Sequence, residues 1–476
     1  MKFGTARRIT ANFLSLISSQ IISRILQLII FVYLARVLGK SDFGIFSFGL
    51  AFAFLFVVIT DFGLSTVIIR EISRDKKSAS KYLSNSIMIK LLLSAITLVS
   101  AYLFLNIAGY PGEVKIIAYI MLGFTLLQSF TELYYAIFRA FERMYYDAFI
   151  KILRVLILAG AIFYLIENNY GLLASSLAFL ATEFVVLMIA FFITYTRFIK
   201  ISFEFDYGFS KKLLKKSSLF CLSLVFSTLY MYIDVIMLSK MRSTAEVGIY
   251  SAATSIVIAL IFIPLMYGNS IYPVLSRFYI TSKESLRLVY EKSFKYMLII
   301  GLPAAAGIYI LSDKIILLLY GKAYIESAIA LSILSGYLFL KFLNPVSGFT
   351  LMAINKQRSR LFSQGLSALI NIILNLIFIP IYGFVGAAIA TLLTEIIFFI
   401  TYTSFVIRYG FNFRFVVSFI YKPIIAVAVM IFSLFFIESL FLAIILGALA
   451  YFIVLLALRI LDKEDKILFN KIVKNI

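Results

Sequence analysis

Histidine and tryptophan are absent from the 476 residues, and cysteine occurs once, as Cys221. Without histidine the chain lacks the side chain that most often serves as general base and metal ligand near neutral pH. A lone cysteine excludes an intramolecular disulfide and any Cys-rich metal site. No metal or cofactor is expected. Charge is scarce as well: 14% of residues are Asp, Glu, Lys or Arg, against about a quarter in a soluble domain. There is no Gly-rich loop ending in Lys-Ser/Thr to cradle a nucleotide phosphate, and the polar stretches between apolar runs are short. ATP hydrolysis, and enzyme chemistry in general, are excluded.

What the chain has in excess is apolar surface. Hydrophobic residues make up 63% of it, and the mean hydropathy is +1.03. A bilayer-spanning helix needs about 20 apolar residues, so there is material for more than a dozen spans. The net charge of +21 has to be read by place, because membrane proteins collect Lys and Arg in cytoplasmic loops. It does not point to nucleic acid. Residues 1–10 are basic, and the apolar stretch that follows reads as a first span and not as a cleavable signal.

Apolar runs of span length lie near 11–35, 43–69, 82–106, 113–138, 147–166, 171–196, 216–240, 247–275, 293–311, 327–352, 360–380, 383–407, 420–437 and 440–458. The stretch Ile315 to Gly321 is too short to cross and is expected to lie at the interface. With the N-terminus placed in the cytoplasm, the cytoplasmic segments hold 33 Lys and Arg and the outer loops 7. That asymmetry predicts an even number of spans in the cytoplasmic membrane, with both termini cytoplasmic.

The chain also repeats itself. Leu34-Ala35-Arg36 through Asp42-Phe43-Gly44-Ile45-Phe46-Ser47 matches Leu238-Ser239-Lys240 through Glu246-Val247-Gly248-Ile249-Tyr250-Ser251, 204 residues later. Tyr170-Gly171 through Thr182-Glu183 recurs 212 residues later as Tyr382-Gly383 through Thr394-Glu395. These offsets pair spans 1–6 with spans 7–12. Six is even, so the halves share one orientation, and a parallel repeat has its axis along the membrane normal, with a cavity expected between the halves near the midplane. The expected architecture is an all-α polytopic membrane protein of about 14 transmembrane helices. Residues 1–207 form one six-helix lobe and 208–408 a second. Residues 409–476 add spans 13 and 14 and a cytoplasmic tail, in which the run Asp462 to Lys466 reads as a solvated helix end. The basic segment 197–216, with Lys211, Lys212, Lys215 and Lys216, links the lobes.

Two transporter families share a six-plus-six plan. The major facilitator type carries a Gly-rich basic signature between spans 2 and 3, where this chain has Arg70-Glu71-Ile72-Ser73-Arg74-Asp75-Lys76-Lys77 without glycine. Instead, Tyr33-Leu34-Ala35-Arg36-Val37-Leu38-Gly39, Asp42-Phe43-Gly44, Asp61-Phe62-Gly63-Leu64, Val247-Gly248-Ile249-Tyr250, Leu319-Tyr320-Gly321 and Ile379-Pro380-Ile381-Tyr382-Gly383 resemble Wzx-type polysaccharide flippases. The resemblance implies membership of the multidrug/oligosaccharidyl-lipid/polysaccharide (MOP) superfamily. It also implies alternating-access movement of a polyprenyl-(di)phosphate-linked oligosaccharide from the cytoplasmic to the outer leaflet, for surface polysaccharide or glycoprotein assembly. Partners would be that lipid-linked sugar and the bilayer, with glycan-assembly enzymes as a further candidate. Two other classes stay open: an ion-coupled multidrug exporter, and a non-transporting scaffold for a glycan-assembly complex.

Charge inside a span is costly and marks cavities or partners. Arg24 lies about halfway along the first span, and Gln20, Arg24 and Gln27 share one helical face. That face is expected to line the cavity, with Arg24 gripping a phosphate in bidentate fashion; the alternative is a structural arginine paired with a carboxylate from another span. Lys341, three residues before Asn344-Pro345, is a second candidate for the anion, again against a structural pairing. Lys90 and Arg154 are expected to snorkel to the nearby interface. Glu183 and Glu395, equivalent in the repeat, are candidates for helix-packing contacts, counter-ions to the cavity cations, or carriers in H⁺ or Na⁺ coupling. Asp61 and Asp234 read as gate or interfacial ion-pair residues, and Glu132 as locally paired.

Overall fold

A computed structural model describes residues 2–200, 205–460 and 465 of the chain, and every regular element among them is helical. The α-helices are α1 (Lys2–Asp61), α2 (Leu64–Arg74), α3 (Ala79–Ile107), α4 (Gly112–Ala140), α5 (Met144–Glu167), α6 (Leu172–Arg197), α7 (Tyr207–Met241), α8 (Thr244–Thr281), α9 (Lys283–Tyr320), α10 (Ser327–Ala353), α11 (Gln357–Arg408), α12 (Arg414–Phe419), α13 (Tyr421–Leu434) and α14 (Leu440–Ala457). The protein is a multi-pass membrane protein. Among the described residues eleven helices are long and apolar enough to cross a bilayer, and α13 is a shorter apolar helix.

Length explains why eleven helices amount to more than eleven spans. At 1.5 Å per residue a straight helix as long as α1 would reach about 90 Å, roughly three times the hydrocarbon thickness. It does not run straight: Gly39, at φ 75° and ψ 175°, breaks the helical path. In α11 the break is Gly383, at φ 58° and ψ −132°. Both backbone positions lie where a Cβ is unfavourable. Each helix is therefore two spans joined at a glycine, and with α13 the total is the fourteen that hydropathy predicts.

Ile315 to Tyr320 are the last turns of α9, which runs past the span read at 293–311 and ends only where Gly321 takes φ 81°. Cutting the chain by apolar content stopped short at Asp313 and Lys314, a charged pair that a helix some 57 Å long carries beyond the hydrocarbon.

The loops repeat the same closing geometry. Gly109, Glu142, Asn169 and Asn355 all have positive φ, and the next residue's amide reaches back five positions in each case. Those bonds are Tyr110 to Leu105, Arg143 to Phe138, Tyr170 to Leu165 and Lys356 to Leu351. This is the Schellman closure, which satisfies carbonyls that a helix end leaves open. Gly109 and Gly321 have positive φ 212 positions apart, and Glu142 and Asn355 have it 213 apart (355 − 142). The repeat is thus written in backbone conformation at positions where residue identity hides it.

Packing divides the chain into two compact units: Met1–Ser255 with Gln364–Ala387, and Ile256–Ser363 with Ala388–Ile476. In the first, an apolar core joins Val67, Ile68 and Ile72 of α2 to Leu133, Ile137 and Phe138 of α4 and Val186 of α6. This unit also holds the contact that relates the halves of the repeat. A methyl built on Gly44 would fall 1.8 Å from the Thr244 carbonyl oxygen, and one on Gly248 would fall 2.1 Å from that of Lys40. Gly44 and Gly248 are repeat equivalents, and so are Lys40 and Thr244. The contact is reciprocal, as a two-fold axis requires.

In the second unit α13 and α14 pack against α9. The Tyr451 hydroxyl donates to the Ile299 carbonyl at 2.8 Å, Lys314 donates to the carbonyls of Ile437 and Glu438 at 3.0 Å, and Leu311, Leu434 and Ala443 form a small apolar cluster. Asp465 overturns the expectation of a solvated tail. It is buried, accepts hydrogen bonds from Lys295 and Tyr296 at 2.6 and 2.7 Å, and pairs with Lys292 at 3.2 Å. A buried carboxylate is tolerated there because two lysines one turn apart on α9 both close on it. The neighbouring positions 462–464 and 466 lie outside the described residues.

Candidate functional site

Of the four basic residues that the hydropathy reading places deep in spans, three meet a carboxylate. Lys90 on α3 is 0% exposed and lies 2.8 Å from Asp61 at the end of α1. It also donates to the carbonyl and the hydroxyl of Ser129 on α4, at 2.7 and 2.6 Å. Snorkelling is therefore wrong for Lys90: counting turns to the helix end ignored that α1 and α4 enclose the side chain. The Asp61 pairing fits the ion-pair reading of that residue. Asp61 is followed by Phe62 and Gly63, both at positive φ, so the acid sits where the helix path breaks and its carbonyls lose their intrahelical partners.

Arg154 on α5 does not snorkel either. Its Nη1 lies 3.4 Å from Glu183 of α6. Glu183 is 1% exposed and also accepts from the Thr131 hydroxyl on α4 at 2.9 Å. In the second unit Glu395, 0% exposed, pairs with Lys341 at 3.0 Å and accepts from the Asn344 amide. The two repeat-equivalent glutamates thus have parallel surroundings. Each takes a hydrogen bond from the helix two spans earlier in its half, and Thr131 and Asn344 are themselves 213 positions apart (344 − 131). Only the cation differs in origin, from α5 in one case and α10 in the other. Lys341 also lies over the rings of Tyr337 and Phe398, at 5.2 and 5.7 Å.

Asp234 on α7 is buried and accepts from the Tyr250 hydroxyl at 2.8 Å and the Asn375 amide at 3.0 Å. Asn375 in turn reaches Asn371 at 3.1 Å. Glu132 pairs locally, as expected, with Arg139 at 2.7 Å. The sequence reading missed the rest of that group: Arg139 Nε donates to fully buried Asp147 at 2.7 Å, and Lys151 closes on Asp147 from the other side at 2.7 Å. The signal was present, since Asp147 and Lys151 stand four apart at the start of a span.

Arg24 is the fourth embedded cation, and it differs. Its side chain is exposed, with Gln20 and Gln27 half-buried on the same helix. Among the described residues no carboxylate lies within ion-pair distance of it. Its electrostatic neighbours are Tyr232 of α7 and Arg154, and the Tyr232 ring is fixed by stacking on Phe54 at 5.1 Å. Arg24 thus has Tyr232 and Arg154 as electrostatic neighbours within one unit, while Lys341 and Glu395 form a separate pair in the other.

The sequence model of the polysaccharide biosynthesis proteins matches residues 9–279, more than half of the chain. The chain belongs to that family. A second family model, MatE, matches residues 220–377, about a third of the chain. A Haloferax volcanii protein named "Probable low-salt glycan biosynthesis flippase Agl15" is 26% identical over 371 residues, 78% of this chain and 77% of that one. A solved structure of the lipid II flippase MurJ, in an inward closed conformation, superposes with a TM-score of 0.78 at 19% identity, covering 93% of this chain and 98% of that chain. An inward-facing multidrug resistance MATE transporter of the MOP superfamily gives 0.68 at 17% identity, over 81% and 95%. The MurJ/MATE fold is shared throughout. These are flippases and transporters, not enzymes.

Proposed function

We propose that this polysaccharide biosynthesis protein flips a polyprenyl-(di)phosphate-linked oligosaccharide from the cytoplasmic to the outer leaflet, with both termini in the cytoplasm. The physical problem is a polar sugar head that must pass about 30 Å of hydrocarbon while its tail stays in lipid. A cation held at mid-membrane offsets part of the desolvation of the phosphate. The observation that carries this reading is the contrast between Arg24 and the other three embedded cations. Lys90, Arg154 and Lys341 each face a carboxylate, whereas Arg24 offers an exposed guanidinium beside two glutamines and a tyrosine. A guanidinium matches a phosphate in bidentate geometry.

The parallel repeat supplies the two halves that alternating access requires. The name of the Haloferax volcanii relative agrees with a glycan substrate, and glycan-assembly enzymes are natural partners of such a flippase. Export of small cations fits less well, because it needs an embedded carboxylate ready to bind one, and Glu183, Glu395 and Asp61 are each engaged by a basic side chain. Lys341 is better read as the structural partner of Glu395 than as a second anion ligand.

The test uses a host depleted of the protein, with polyprenyl-linked oligosaccharides quantified by leaflet accessibility. The expected result is accumulation on the cytoplasmic side, relieved by wild type and by Arg24→Lys in part, but not by Arg24→Ala. Drug sensitivity without accumulation would move the assignment to export.

A further inference from the structure

The turn between α7 and α8 holds three other breaks in the helices at the same end of the bundle, all within the first compact unit. Lys240 donates to the Ala108 carbonyl just past α3, and its ammonium lies over the Tyr110 ring at 5.7 Å. The hydroxyls of Tyr110 and Ser239 are 3.0 Å apart. Ser239 directs its own proton to the Ile236 carbonyl at 2.8 Å, and a hydroxyl has one proton to give, so Tyr110 is the donor. Arg242 donates to the carbonyls of Ile379 and Pro380 at 3.1 and 2.6 Å, and Glu246 accepts from the Phe384 amide at 3.0 Å. These are backbone groups that the break at Gly383 deprives of helical partners. Gly248 completes the set through its close approach to the Lys40 carbonyl.

The repeat sorts these contacts into two kinds. Arg242 and Glu246 tie the turn to α11, inside the half made of spans 7–12. Ser239, Lys240 and Gly248 reach α1 and the α3–α4 turn, which belong to the half made of spans 1–6. When one half rocks against the other, contacts inside a half persist, whereas contacts across the halves at the opening end must part. The receiving side is rigid. Gly109 at φ 66° and the bond from the Tyr110 amide to Leu105 close the α3–α4 turn, and the Tyr110 ring packs on Phe48 at 4.7 Å. The grip on it is light, because Lys240 is exposed and a hydrogen bond that trades against water contributes little net. A rigid seat held by light, solvent-reachable bonds is what a contact that opens and closes repeatedly requires.

We propose that Lys240 and Tyr110 form a latch that keeps this end of the protein shut, and that Arg242 and Glu246 brace the α11 break so that it follows the turn when the latch parts. This is the outer end in the topology proposed above. The latch rests on the alternating-access reading and deepens it, by naming the side chains that set how often the outer face opens. Ser47 lies behind it. It stands one turn after Gly44 on the same helical face, as its repeat equivalent Ser251 stands one turn after Gly248, and both serines are 8% exposed. Parting of the halves at the glycine contact uncovers Ser47.

The experiment measures maleimide labelling rates of the purified full-length protein in detergent, in a Cys221→Ser background. Ser47→Cys reports the latched end. Ser86→Cys, fully buried near the start of α3 at the opposite end, is the control. Neither serine hydroxyl has a hydrogen-bond partner among the described residues, so both positions accept a thiol. Labelling of a buried thiol scales with the fraction of time that local opening uncovers it. Lys240→Met and Tyr110→Phe should each speed labelling of Ser47→Cys by about 2- to 10-fold, the range of one hydrogen bond, and change Ser86→Cys by less than about twofold, as distant independent sites do. Tyr110→Phe keeps the ring and carries the test if Lys240→Met does not fold. Arg242→Gln loosens a contact inside one half, so it should lower the unfolding temperature while Ser47→Cys stays within about twofold of its starting rate. Unchanged Ser47→Cys labelling in both latch variants, an equal rise at both reporters, or a rise in Arg242→Gln that matches Lys240→Met would overturn the latch. The assay contains no lipid-linked sugar, so failure of the flippase reading itself shows in the accumulation experiment above and not here.

Discussion

Adding one methyl group to Gly248 puts the close approach at the repeat axis to a quantitative test. The new carbon would lie 2.1 Å from the Lys40 carbonyl oxygen and 3.3 Å from the Gly44 amide nitrogen. Both atoms are backbone, so no side-chain rotation relieves the clash, and helix must move from helix. Overpacking by even a methylene in a well-packed interior costs about 1–3 kcal/mol, and a backbone obstacle places the cost at or above the top of that range. Gly44→Ala meets the Thr244 carbonyl at 1.8 Å and should behave alike. Gly307→Ala in α9 is the control: its added methyl would meet nothing within 4 Å, so replacing a helical glycine there should stabilise by about 0.5–1 kcal/mol. Thermal unfolding of the purified variants by far-ultraviolet circular dichroism reads the difference, since the absence of tryptophan removes the usual fluorescence signal. Gly44→Ala and Gly248→Ala should melt below wild type and Gly307→Ala at or above it. A Gly248→Ala protein as stable as wild type would refute the close reciprocal contact, and with it the structural evidence for the repeat axis.

Three further outcomes follow from the charge pairs and loops. Asp61→Asn leaves the fully buried Lys90 with only Ser129 as partner and should cost about 3–5 kcal/mol, whereas Asp61→Asn/Lys90→Met should recover most of it; equal unfolding temperatures for the single and double variants would contradict the pairing. Asp206 caps α7 through the Phe209 amide at 2.9 Å and pairs with Lys81 at 2.8 Å, and the Lys81 hydrogen bond, with that of Phe209, holds its carboxyl below the ordinary carboxylate range. A depressed carboxylate contributes above its unfolded value and loses that contribution as pH falls through the folded one, so pepsin should cut near the start of α7 increasingly as pH drops below about 4, and Asp206→Asn should show that cutting without the pH dependence. Sidedness is tested in a Cys221→Ser background, where an impermeant maleimide applied to intact cells should label Lys115→Cys and leave Lys212→Cys unlabelled; the reverse pattern would invert the topology.

Much of the fold could be read from the sequence because the bilayer imposes one length on every span, and the repeat could be read because Tyr-Gly and Thr-Glu are rare enough in apolar sequence to register. The breaks at Gly39 and Gly383 were visible as loops, while the persistence of α9 through Asp313 and Lys314 was not, since charge at a long helix's end looks like a loop in a hydropathy trace. The site was legible in part. Arg24 stood out by depth alone. The partners of Lys90 and Arg154 did not, because Asp61 and Glu183 lie on other helices, and one helix's turns say nothing of what packs around it. The clue available was that embedded acids and embedded bases occurred in similar numbers, which should prompt pairing before snorkelling is invoked. The roles of Thr131, Asn344 and Asn375 left no mark in the sequence, because a buried hydroxyl or amide is recognised only by the acid it meets.

The most direct test of transport reconstitutes the purified protein into vesicles containing a diphosphate-linked oligosaccharide lipid and follows the exposure of its sugar to a glycosidase on one side. Wild type should expose the lipid initially protected in the opposite leaflet, and Arg24→Ala, equally folded and equally inserted, should not. Flipping by Arg24→Ala at the wild-type rate would contradict the central claim that an exposed mid-membrane guanidinium carries the phosphate across.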